Sequence, residues 1–200
     1  MKKLAMLIPM VLLITAWVVG QDKTADEPLA VEETTVSAVA VADDSPLSEL
    51  GWMVGTWIDE AEESRIVTEC SWAEGGKFLK RTFSVMVDDE VTLHGDQFVG
   101  WDPVEQRIRS WTFDSEGGIG EGRWYQDDNR WIVKTSFRLA SGERASATNI
   151  ITYVDENTVT WQSIGREVAG ELQPSIPEVT VVRQDATKKT DGGTSGEESK

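Results

Sequence analysis

The sequence predicts one all-β domain: a ten-stranded antiparallel up-and-down barrel, with a disordered N-terminal linker and a disordered C-terminal tail. Three observations lead there. From Trp52 to Gln184, β-branched and aromatic segments alternate with short clusters of Gly, Asp, Asn, Glu or Ser, the signature of strand, turn, strand. These clusters recur about every dozen residues, which leaves no room for crossover helices and makes neighbouring strands antiparallel. No stretch holds a helical period for long, and a run of long hairpin-linked strands removes its edges most completely by closing on itself. A two-sheet sandwich is the alternative architecture.

Taken in order, residues 1–20 open with Lys2 and Lys3, continue through an apolar run from Leu4 to Val19, and reach Gly20 with Val18 two positions before it. This is the layout of a secretory signal peptide cleaved after Gly20. An acidic stretch follows rather than basic stop-transfer residues, which speaks against a retained anchor. The expected location is therefore outside the cytoplasm, periplasmic or secreted. Residues 21–47 set seven acidic side chains against Lys23 alone and hold no aromatic residue, the composition of a solvated, disordered linker.

The barrel domain is placed at 48–184. Its strands are expected at 53–60, 64–73, 77–87, 90–101, 106–114, 119–126, 130–139, 143–154, 157–164 and 178–184. Period-two alternation puts Trp131, Val133, Thr135, Phe137 and Leu139 on a dry face and Arg130, Lys134 and Arg138 on a wet one. Trp111 and Phe113 share a face, read as inner, and Arg109 falls beside them. Between Ile164 and Pro177 the pattern breaks at Gly165, Gly170, Pro174 and Pro177, so this segment is expected to cross an open end of the barrel. Residues 185–200 lack the apolar content to bury themselves and form the disordered tail.

Composition then narrows the function classes. Thirty-five acidic residues against 19 basic give a net charge of -16, so nucleic acid and anionic lipid surfaces are not expected partners, and no stable membrane insertion is expected after signal cleavage. A single cysteine, Cys70, and a single histidine, His94, rule out an intramolecular disulfide and a Cys/His zinc cluster. No metal and no cofactor is expected. His94 falls on the alternate set with Thr92, Asp96 and Phe98, an exposed or rim position, and Cys70 among Ile66, Thr68 and Trp72 reads as a small buried residue. A Cys70–His94 dyad stays open as one nucleophile and base pair; paired carboxylates are available in any chain this acidic, but nothing singles out a pair. The loop from Asp114 to Glu121 gathers three carboxylates around glycines but lacks the ligand spacing of a calcium loop. No catalytic residues are singled out.

Gly55-Thr56-Trp57, at the head of the first strand and just after a possible helical turn at Leu47–Leu50, resembles the G-x-W opening of calycin-type barrels such as the lipocalins. In that superfamily the Trp closes the narrow end of the barrel beneath a basic side chain from the last strand. The resemblance assigns those roles here to Trp57 and Arg183. With Gly100-Trp101-Asp102-Pro103, Ser110-Trp111-Thr112-Phe113-Asp114 and Trp161-Gln162-Ser163, the stretch from Leu50 to Arg183 resembles a module of largely uncharacterised exported bacterial proteins, often found C-terminal to a SnoaL-like domain. Residues 21–47 are too few to hold such a domain. Nitrobindin-like haem barrels are similar in strand number, but their proximal histidine has no counterpart among Glu178 to Gln184.

Nine tryptophans against two tyrosines suit an inner face filled by large rings with indole N–H groups on polar partners. Where some of them line an open pocket, a small apolar or planar ligand is the expected occupant, with Arg81, Gln97, Arg109, Trp111, Asn149 and Trp161 as candidate binding residues. Three function classes follow: a small-molecule-binding barrel without enzymatic activity, a ligand-free interaction or structural module of the cell envelope, and an enzyme of unknown reaction. The first leads, because such folds are usually containers and no catalytic constellation is visible. Which protein partners the chain has does not follow from its sequence.

Overall fold

A computed structural model describes residues 45–61 and 64–184; the expected signal peptide, most of the linker and the tail lie outside the described residues. A 3-10 helix, Ser48–Met53, leads into β1 (Gly55–Glu60), β2 (Ser64–Ala73), β3 (Phe78–Val87), β4 (Glu90–Asp102), β5 (Arg107–Asp114) and β6 (Ile119–Asp127). Then come β7 (Arg130–Arg138), β8 (Arg144–Asp155), β9 (Thr158–Val168), β10 (Glu171–Leu172) and β11 (Ile176–Arg183). Every pairing is antiparallel, and β1 to β9 pair in chain order. β11 lies between β9 and β1, so the sheet closes into a ten-stranded barrel with the short β10 added at the end of β9. Closure leaves one sheet rather than two, which sets the sandwich aside.

The hairpins explain the topology. Asp88 and Asp89 both take positive φ, 52° and 62°, the backbone that a two-residue turn needs to match the twist of its strands. The one topological departure from the sequence expectation is at 165–177. Instead of a long crossing segment, β9 runs on to Val168, turns at Ala169-Gly170 into β10, and β11 starts at Ile176. Gly165, with φ 57°, sits at a bulge rather than at a strand end: Ser146 pairs Glu167 and Thr148 pairs Ile164, so Gly165 and Arg166 together face Ala147. A bulge of this kind reverses side-chain parity beyond it.

One end of the barrel is shut. Leu47, Leu50 and Met53, all at most 4% exposed, cover it and pack with Trp57, Leu79, Val99, Trp131 and Val181. Packing thus begins at Leu47, the last residue of the expected linker. Arg183 lies over Trp57 with its guanidinium carbon 4.3 Å from the ring centroid. It donates to the carbonyls of Val54 (2.5 Å), Trp52 (2.9 Å) and Glu156 (2.8 Å), which gives the end of the 3-10 helix the donors it lacks. Trp57 Nε1 donates to Met53 O at 2.8 Å. Gly55 has φ 123°, and a Cβ there would collide with the Arg183 guanidinium, which is the physical content of the Gly-x-Trp spacing. Trp57 and Arg183, the pair to which the resemblance assigns closure, are thus in contact between the first strand and the last.

The tryptophans are more divided than an inward-facing set. Trp57, Trp124, Trp131 and Trp161 are 4–5% exposed, whereas Trp101 is 38% exposed. Trp111 is half-buried and stands outside the barrel, in cation–π contact with Arg109 at 5.5 Å. On β5 the inner positions belong instead to Ile108, Ser110 and Thr112. The reason is space. Trp124 crosses to donate to Ser110 Oγ at 3.0 Å, and Phe137 lies where a Cβ on Gly120 would collide with its ring. Facing strands therefore carry Gly120, Gly122, Ser110 and Thr112, and the large rings of β5 turn outward.

Candidate functional site

Above the closed end, the barrel interior holds a partly enclosed cavity of about 60 Å³. By volume it takes roughly four or five water-sized groups. Its apolar walls are Trp124, Val133, Phe137, Ala147, Ile151, Trp161 and Ile176. Its polar groups are Arg81, Gln97, Thr112, Thr135, Asn149, Ser163 and Arg166. A second, nearly apolar void of about 20 Å³ lies beneath it between Trp52, Trp57, Cys70 and Val159, and Arg81 and Ile151 border both spaces.

The polar row is built by register. Arg81 pairs across the sheet with Cys70 on one side and Gln97 on the other, and Gln97 pairs with Thr112. Residues opposite each other on one face of an antiparallel sheet meet. Accordingly Arg81 Nη1 donates to Gln97 Oε1 at 2.7 Å, and Gln97 Nε2 donates to Thr112 Oγ1 at 2.9 Å. Arg81 Nε is buried without a partner. Burial lowers the proton affinity of the Arg81 guanidinium from its ordinary value, and Cys70 opposes that in part. Arg166 reaches the cavity because of the bulge at Gly165, with its Nη1 held on Pro174 O at 2.8 Å. Desolvation lowers its proton affinity as well.

Of the six candidate binding residues, Arg81, Gln97, Asn149 and Trp161 come together around this cavity. Arg109 and Trp111 do not; their inward placement is corrected to the outer face. There Arg109 forms ion pairs with Asp102 (3.1 Å), Glu105 (3.1 Å) and Glu121 (2.6 Å), in a network that Arg123 joins through Glu105. Arginines at 107 and 109 on the parity of Trp111 were the available sign of a wet face. Arg166, Ser163, Thr112 and Thr135 are not among the expected binding residues, although alternation puts Thr135 on the dry face. The last three are small hydroxyls without a signature, while parity alone turns Arg166 outward until the bulge is known.

The residues weighed for catalysis stand apart. Cys70 is buried inside, and burial pushes its thiol up to about 11 against the lowering pull of Arg81 and Arg183. His94 is exposed on the outer face, so the Cys70–His94 dyad is not formed. Asp114 Oδ1 accepts from the backbone N–H of Glu116 (3.0 Å) and Gly118 (2.8 Å), an Asx arrangement that shapes its own turn. Among the described residues, no group of three or more His, Cys, Asp or Glu side chains is placed to hold a metal. Asp59, buried on β1 with its Oδ2 unpartnered, has its carboxyl raised to about 6 by desolvation. It does not line either cavity.

No protein-family model matches the chain, and no curated protein matches it in sequence. What the fold itself supports is a closed ten-stranded antiparallel barrel, consistent with a calycin-like architecture.

Proposed function

We propose that this chain is an exported, calycin-like barrel that binds a small molecule in its interior and performs no chemistry on it. One observation carries the reading: a walled cavity inside the barrel on which side chains from eight of its strands converge, apolar on one part and hydrogen-bonding on the other. That combination of apolar wall and few convergent polar groups is the usual build of a small-molecule site. Among the described residues the lining offers guanidinium, amide and hydroxyl groups but no carboxylate, imidazole or thiol, so it supplies donors for recognition and no ordinary general base. Its volume favours a compact, part-polar ligand over a porphyrin or a whole lipid.

The test is a ligand screen read by intrinsic fluorescence and melting temperature, because Trp124 and Trp161 border the cavity and any ligand that binds only the folded state raises Tm. Small polar metabolite-sized compounds are expected to shift both. Mass spectrometry of the natively exported protein identifies what travels with it. If small compounds, lipids and porphyrins all leave fluorescence and Tm unchanged, the chain is a ligand-free envelope module instead.

A further inference from the structure

We propose, building on the container reading above, that the ligand is a short-chain carboxylate whose carboxylate group is held by Arg81. Three features of the cavity point to this. First, none of the acidic side chains among the described residues lines the cavity, whereas Arg81 and Arg166 do. The formal charge along the cavity lining is therefore positive, in a chain that is acidic as a whole. Second, Arg81 is a guanidinium inside the barrel that no carboxylate of the described residues neutralises: its one side-chain partner is the neutral Gln97 Oε1, and its Nε is buried without an acceptor. A buried cation without an anion is expensive, and the other interior arginines show how this protein ordinarily treats one. Arg183 meets three backbone carbonyls, and Arg166 is held on Pro174 O. Arg81 has neither a carboxylate nor a backbone carbonyl, only the neutral Gln97 Oε1.

Third, the groups around it suit a planar carboxylate. A guanidinium fork presents parallel N–H donors that match two carboxylate oxygens. Gln97 anchors one arm of the fork, and its own amide is spent on Thr112 Oγ1, so the fork is held in place rather than left to search. The opposite wall, Trp124, Val133 and Trp161, accepts a short hydrocarbon. A tetrahedral dianion such as phosphate would need more donors than one fork and would set its oxygens against that wall. The space of about 60 Å³ suits a ligand of roughly four or five heavy atoms, the size of acetate or propionate.

The experiment is calorimetric titration and thermal melting of the purified full chain with acetate, propionate, butyrate and hexanoate. Acetamide and propionamide serve as neutral isosteres and inorganic phosphate as the tetrahedral anion, all at constant ionic strength. Acetate or propionate is expected to bind best, with the matching amide at least about tenfold weaker, since a hydrogen bond to a charged group outweighs a neutral one. Arg81→Met is expected to lose that preference. Gln97→Met, which frees the fork without removing the charge, is expected to weaken binding while keeping carboxylate ahead of amide. Should Arg81→Met fail to fold, the carboxylate-to-amide ratio of the unaltered protein and of Gln97→Met decides alone. Amides binding as well as carboxylates would overturn anion recognition and leave the container intact; tighter binding of phosphate would overturn the carboxylate assignment. Binding by none of the probes, alongside a neutral hit from the general screen, overturns this inference only. Binding by nothing at all overturns both.

Discussion

Asp59 gives the sharpest quantitative test of the structure. It shares the inner parity of Trp57, faces Ile66 across β2, and is 4% exposed beside an apolar cluster formed by Ile66, Phe83, Val85 and Leu93. Desolvation raises its carboxyl from 3.8 to about 6, so the folded protein holds a proton there that the unfolded chain releases. The sign follows from linkage. At low pH both states are protonated and burial costs little; as pH rises from about 4 to about 6 the unfolded chain ionises first, and stability falls through that window. At 1.36 kcal/mol per unit, a shift of about two units amounts to roughly 3 kcal/mol above pH 7. Asp59→Asn keeps the shape of the protonated acid and removes the titration. It should match the unaltered protein to within about 0.5 kcal/mol near pH 4 and exceed it by about 3 kcal/mol at pH 8. Urea unfolding followed by tryptophan fluorescence reads this as a midpoint that moves up by roughly 1–3 M at pH 8. The other carboxylates titrate in both proteins and cancel in the difference. A gap that does not change with pH, or a variant less stable at pH 8, would refute the assignment of Asp59 as a buried, uncompensated acid.

Three further outcomes are expected. Arg183→Met should lower stability by roughly 2–3 kcal/mol, from the lost stacking on Trp57 and from carbonyls of the 3-10 helix left without donors, with Arg183→Lys recovering only part; urea unfolding measures both. Gly120→Val should cost about 1–3 kcal/mol because its side chain meets the Phe137 ring, and adding Phe137→Leu should return some of that loss in a double-mutant cycle. Cys70, its thiol raised from 9.0 to about 11, should react with a thiol reagent at pH 8 at least about a hundredfold more slowly in the folded protein than in urea; equal rates would mean that the barrel opens there.

Strand number and order were legible because each hairpin is local. A turn cluster followed by a β-branched run predicts its own neighbour, and β1 to β9 need nothing more. The pairing of β11 between β9 and β1 is non-local; the need to remove sheet edges called for closure, and Gly55, Trp57 and Arg183, whose contact ties the first strand to the last, gave it named residues. The segment 165–177 was misjudged for a different reason. Gly and Pro mark both chain reversals and bulges, and a single glycine inside a strand does not say which. Gly165 is a bulge, and the strand goes on.

The cavity was half legible for reasons that lie in volume rather than in hydrophobicity. Alternation sorts side chains onto two faces but does not say which face is inside when both carry large residues. On β7 the charges of Arg130, Lys134 and Arg138 settle it. On β5 the apolar pair Trp111 and Phe113 points to the wrong answer, because a ring-filled interior already holds Trp124 and Phe137 and has room only for Ser110, Thr112 and the glycines of β6. The two arginines of the site show the same limit. Arg81 is inside by simple parity with Leu79 and Phe83, and its position follows from the strand alone. Arg166 is inside only because one extra residue shifts the phase of β9. That shift adds a second cation, beside Arg81, to a cavity that no acid of the described residues lines, so the bulge that hid Arg166 from the sequence also strengthens the positive charge of the site.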